Sequence, residues 1–138
     1  MGLKKTIKSV MRLDRPKVNG NLSAKETIET MAEHGVCAVS VEVDGSVQGI
    51  VTDMDLVGAL VRRGDPARIK VSECMTACEL ITGAGAHKPC VQLDEEETVE
   101  NALKLLDGAG VHNVMISGRN DQCLGIISAG ELLQAAIS

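Results

Sequence analysis

Gly35-Val36-Cys37-Ala38-Val39-Ser40-Val41 returns as Gly110-Val111-His112-Asn113-Val114-Met115-Ile116, an offset of 75 residues. Self-similarity on this scale marks two copies of one supersecondary unit. The offset holds backwards: Ser23 falls on Thr98, Ile28 on Leu103 and Met31 on Leu106. Each copy therefore sets a capping hydroxyl ahead of apolar residues at helical spacing, and Ser23 and Glu26 have the spacing of a capping box. Forwards, after one extra residue in the second copy, Gly49-Ile50-Val51-Thr52 falls on Gly125-Ile126-Ile127-Ser128, and Asp55-Leu56 on Glu131-Leu132.

The pattern predicts strand, helix, strand, turn, strand, helix in each copy. The β-branched runs Val36 to Val43 and Val47 to Thr52 flank Asp44-Gly45-Ser46, a hairpin signal, and the second copy does the same around Gly118 to Gln122. Helices and a sheet that each bury one face must share a core. The expected fold is α/β: two tandem β-α-β-β-α repeats, over 6–64 and 69–138, related by pseudo-twofold symmetry and packed into one module. Arg62 to Arg68, with Gly64-Asp65-Pro66, reads as the linker. The second repeat is longer, since Met11 to Ser23 spans 12 residues and Met75 to Thr98 spans 23, which places an insertion around 77–90.

Composition narrows the function. A chain of 138 residues with a net charge of -5 lacks the clustered cationic excess that nucleic-acid binding requires. Phe, Tyr and Trp are absent, so aliphatic side chains fill the core and a bound base has no aromatic platform to stack on. No apolar stretch approaches a membrane span. With five cysteines and no export signal, reduced thiols in a cytoplasmic protein are expected.

The chemistry gathers at Gly49-Ile50-Val51-Thr52-Asp53-Met54-Asp55, where a strand ends in a hydroxyl and a carboxylate follows at a helix start. A helix N-terminus offers N–H groups to a phosphate, a hydroxyl bonds phosphate oxygens, and a carboxylate accepts both hydroxyls of a ribose. The competing account is that these residues only cap the helix. Ser128 and Glu131 repeat the arrangement.

The Gly-Val-x-x-Val-x-Val strand, the Gly-Ile-Val-Thr-x-x-Asp terminus and the opening Val71-Ser72-Glu73-Cys74-Met75-Thr76, with its counterpart Ile7-Lys8-Ser9-Val10-Met11, resemble the CBS (cystathionine β-synthase) domain along essentially the whole chain. The resemblance implies a Bateman module, a regulatory pair of repeats with clefts between them for AMP, ADP or ATP, or occasionally S-adenosylmethionine. By that similarity Thr52 contacts phosphate or ribose and Asp55 the ribose diol. Glu131 departs from the family's Asp or Asn by one methylene, so Ser128 and Glu131 rank second. His112 matches a position where some members, such as the regulatory subunit of AMP-activated protein kinase, place a phosphate-contacting histidine.

No nucleophile elbow, Walker loop or HExxH motif is present, so no enzyme activity is expected. The alternative to nucleotide sensing is a metal- or redox-responsive interaction protein on the same scaffold, with zinc held by Cys74, Cys78, His87 and Cys90, although their spacing is not that of paired Cys-x-x-Cys sites. Cys37 and Cys123 are expected in the core. The helices Leu56 to Val61 and Leu132 to Ile137 carry apolar residues on more than one side, which predicts a homodimer.

Overall fold

Asp44 and Gly45 adopt φ values of 53° and 83°, the two successive positive angles that a two-residue turn needs to match the twist of its flanking strands. That turn joins β2 (Ala38–Val43) to β3 (Ser46–Thr52), antiparallel with Ala38 opposite Thr52. The structure, a computed structural model, describes residues 2–12, 15–77, 92–118 and 123–138. In chain order its elements are α1 (Ile7–Val10), β1 (Lys17–Asn19), α2 (Ala24–His34), β2, β3, α3 (Asp53–Arg63), α4 (Val71–Cys74), β4 (Thr76–Ala77), β5 (Gln92–Asp94), α5 (Val99–Ala109), β6 (Asn113–Ser117), β7 (Cys123–Ser128) and α6 (Ala129–Ile137), with 3-10 turns at Gly2–Lys4 and Pro66–Arg68. Both repeats thus fold as strand, helix, hairpin and helix. Part of the segment expected as a linker is regular: α3 runs on through Arg63, and Asp65 caps the Pro66–Arg68 turn through the Ala67 N–H.

Two compact units result. One is Arg15–Cys90, whose sheet runs β1-β2-β3-β4, with β1 parallel to β2 and the other pairs antiparallel. Val39, Val41 and Val51 from its hairpin meet Met31 of α2 and Leu56 and Ala59 of α3 in one core, which Ile69 and Val71 complete. The other unit joins Met1–Asp14 to Val91–Ser138, with sheet order β5-β6-β7. Its core sets Val114, Ile116 and Ile127 against Leu106 and Leu132, completed by Ile7.

Relative to the repeats read along the sequence, the units therefore exchange the short segment ahead of each repeat. Matching backbone bonds show why. Val71 N–H donates to Leu22 O at 2.8 Å and Ser72 N–H to Gly20 O at 3.1 Å; Ile7 N–H donates to Glu97 O and Lys8 N–H to Glu95 O, both at 2.8 Å. The carbonyls of Glu95 and Glu97 hold α1 in place, and Lys8 pairs loosely with Glu96 at 3.7 Å. These carbonyls take two of the N–H groups that the first turn of α1 leaves without a partner within the helix.

Candidate functional site

Thr52 ends β3 in extended backbone and caps α3. Its Oγ1 accepts from Asp55 N–H at 3.2 Å, and its own N–H donates to Asp55 Oδ2 at 3.0 Å, a reciprocal capping box. Capping, the competing account of these two residues, is thus what both do in the structure. It does not exhaust them. A carboxylate has about four acceptor positions, and the Thr52 hydroxyl keeps its own proton to donate. The α3 N-terminus itself offers a phosphate less than the sequence suggested. Asp53 N–H already reaches Cys37 O at 2.9 Å, Met54 N–H reaches Asp53 Oδ1 at 2.8 Å, and Asp55 N–H is held by Thr52.

Ser128 and Glu131 occupy the equivalent place in the other unit but bond differently. Ser128 N–H donates to Glu131 Oε1 at 3.2 Å, Glu131 N–H to Ser128 Oγ at 3.2 Å, and the Ser128 hydroxyl to the same Oε1 at 2.9 Å. The longer side chain folds back onto its own cap and takes the hydroxyl proton. The same three bonds close the start of α2, where Ser23 and Glu26 are expected only to cap. His112 lies just before β6, exposed, with its carbonyl accepting from Ala129 N–H at 2.8 Å. That bond is the counterpart of Asp53 to Cys37.

One residue at the Thr52 site was not singled out from sequence. Thr76 Oγ1 donates to the Asp55 carboxylate, 3.4 Å from each oxygen. The Met-Thr pair was legible as a motif, but its approach to Asp55 depends on β4 pairing with β3, with Gly49 opposite Ala77 and Ile50 opposite Thr76.

The cysteines correct two expectations. Cys37 is exposed just ahead of β2 and not in the core, and Cys123 is partly buried in β7. Of the candidate zinc ligands, Cys78, His87 and Cys90 lie outside the described residues, and among the described residues no group of three or more potential ligands is assembled. Cys74 packs against the core, and its thiol donates to Val71 O at 3.4 Å. Burial first, and the Asp55 charge second, push its pKa up, which favours the thiol over the thiolate that metals and alkylating agents require. At pH 8, iodoacetamide followed by peptide mass mapping should label Cys37 well before Cys74; equal rates would contradict the packing of Cys74.

A hairpin flanked by two helices, with a hydroxyl and a carboxylate at the strand-to-helix turn, occurs twice in the chain. The CBS domain family model matches residues 7–62 and 84–138, and the chain belongs to that family, as a pair of CBS repeats. It is 25% identical over 127 residues to the CBS domain-containing protein YhcV of Bacillus subtilis, covering 92% of this chain and 82% of that one. It is 28% identical over 115 residues to the uncharacterized protein MK0525 of Methanopyrus kandleri, covering 81% of this chain but only 53% of that protein's length. Among solved structures, the CBS-domain protein ATU1752 of Agrobacterium tumefaciens superposes with a TM-score of 0.75 at 26% identity, covering 99% of this chain and 96% of that one. The CBS domain of the bacterial CNNM/CorC family Mg2+ transporter, solved in complex with ATP, superposes with a TM-score of 0.73 at 13% identity, covering 96% and 87%.

Proposed function

We propose that this CBS pair is a non-catalytic regulatory module that binds an adenine nucleotide, AMP, ADP or ATP, with Thr52 and Asp55 as the principal contacts. The bonding at Thr52 and Asp55 carries the reading. After capping, a carboxylate with acceptor positions to spare and a hydroxyl with its proton to give stand side by side, as ribose and phosphate recognition requires. The ATP held by the transporter's CBS domain supports the ligand class. Ser128, Glu131 and His112 form a second, weaker candidate, because the Ser128 hydroxyl is spent on Glu131. S-adenosylmethionine is the alternative ligand, and no cofactor is required. The ligand class, with the three free cysteines among the described residues, favours a cytoplasmic protein; among the described residues no helix is long and apolar enough to cross a membrane. Calorimetry with AMP, ADP, ATP and S-adenosylmethionine is expected to give a Kd between about 1 μM and 1 mM for an adenine nucleotide. No heat from any of them at millimolar concentration contradicts the reading.

The module is also expected to be a homodimer. Met54, Val57 and Val61 line one exposed stripe of α3 at 69%, 49% and 81% exposure, and in the other unit α6 exposes Leu133 and Ile137 at 57% and 81%. Stripes of this kind at helical spacing suit a self-complementary twofold contact. Light scattering should give about twice the 14.5 kDa chain mass, and the double variant Val61→Asp, Ile137→Asp should give the monomer. A wild-type monomer with and without nucleotide would refute the dimer.

A further inference from the structure

Thr76 comes from the segment ahead of the second repeat, yet its hydroxyl points at the carboxylate of the first repeat's motif, sharing its proton between Oδ1 and Oδ2 at 3.4 Å each. Both side chains are half-buried. Asp55 is thereby held from two directions, by Thr52 N–H on one oxygen and by Thr76 across both. The backbone makes room for this. A Cβ on Gly49 would lie 2.7 Å from Thr76 O and 2.8 Å from Met75 Sδ, so only glycine lets β4 come this close to β3.

We propose that Thr76 is a positioning residue for the nucleotide site, orienting the Asp55 carboxylate so that its remaining acceptor positions meet the vicinal hydroxyls of a ribose and select ribonucleotides over 2′-deoxynucleotides. The inference rests on the nucleotide reading above. A freely rotating carboxylate can follow either hydroxyl of a ligand; one held by Thr52 and Thr76 offers the acceptor positions they leave in fixed directions, and a ligand lacking one hydroxyl leaves part of that set unmatched. The hydroxyl is not a requirement of the fold. α1 and α4 are equivalent, with Met11 N–H bonded to Ile7 O at 2.9 Å as Met75 N–H is to Val71 O at 3.0 Å, and the residue after Met11 is Arg12 where the residue after Met75 is Thr76.

The test is calorimetric titration of AMP and 2′-deoxyAMP into the wild type, Thr76→Val and Thr76→Ser, with thermal midpoints recorded for each. The wild type is expected to prefer AMP about tenfold, the order of one hydrogen bond to a charged group. Thr76→Val should lose most of that preference by weakening AMP while leaving 2′-deoxyAMP nearly unchanged, and Thr76→Ser should restore it. A general loosening of the fold would weaken both ligands alike and would not be rescued by serine. If Thr76→Val binds with the wild-type preference, the positioning role is wrong and the nucleotide reading stands. If the wild type binds neither ligand, nor ADP or ATP, the nucleotide reading fails and the role of Thr76 falls with it.

Discussion

Gly49→Val should destabilise the protein by about 1–3 kcal/mol, the cost of forcing extra methyl groups into a packed site, and should remove most nucleotide affinity at the same time. Gly49 is buried in β3, where even a single Cβ would meet a backbone carbonyl, Thr76 O, at 2.7 Å. A flexible side chain could swing away from such a contact; a carbonyl in a strand can move only by breaking the β3–β4 pairs at Gly49–Ala77 and Ile50–Thr76. With β4 displaced, Thr76 withdraws from Asp55. The shift of the urea midpoint measures the first effect and calorimetry the second. A variant with the wild-type midpoint would mean that β4 does not pack on β3 as described.

Asp55→Ala is expected to weaken adenine-nucleotide binding by about 1.5–3 kcal/mol, the worth of hydrogen bonds to a charged group, which is roughly 10- to 150-fold in Kd at 1.4 kcal/mol per decade. The variant keeps Thr52 as N-cap, so the start of α3 survives with its hydroxyl bond to the backbone. The loss should therefore appear in affinity more than in the thermal midpoint. The measurement is a nucleotide titration of Asp55→Ala beside the wild type. Unchanged affinity would return Asp55 to capping alone.

The fold was readable because the repeat displayed it twice. The β-branched runs around Asp44-Gly45 and the hydroxyls at Ser23, Thr52, Thr98 and Ser128, each of which caps a helix in the structure, are local signals whose physics lies within a few residues. What depends on contacts distant in sequence was not readable. The exchange of α1 and α4 between units rests on backbone bonds spanning as many as 90 residues, such as Ile7 to Glu97, and backbone carbonyls leave no residue-type signature. Cys37 reads as a core residue by type, yet it lies just before β2 begins, where its carbonyl is used and its side chain faces outwards. At the site, the positions of Thr52 and Asp55 were legible from spacing. The filling of the α3 N-terminus by Asp53 and Cys37, and the contact from Thr76, required the register of the sheet.

A crystal structure of the protein grown with millimolar AMP will show whether an adenine nucleotide binds with its ribose on the Asp55 carboxylate. Ribose 2′- and 3′-hydroxyls are expected within hydrogen-bond distance of Asp55 Oδ1 and Oδ2, with the Thr52 hydroxyl turned toward ribose or phosphate. Nucleotide bound elsewhere on the chain, with Asp55 engaged only by Thr52 and Thr76, would contradict that placement.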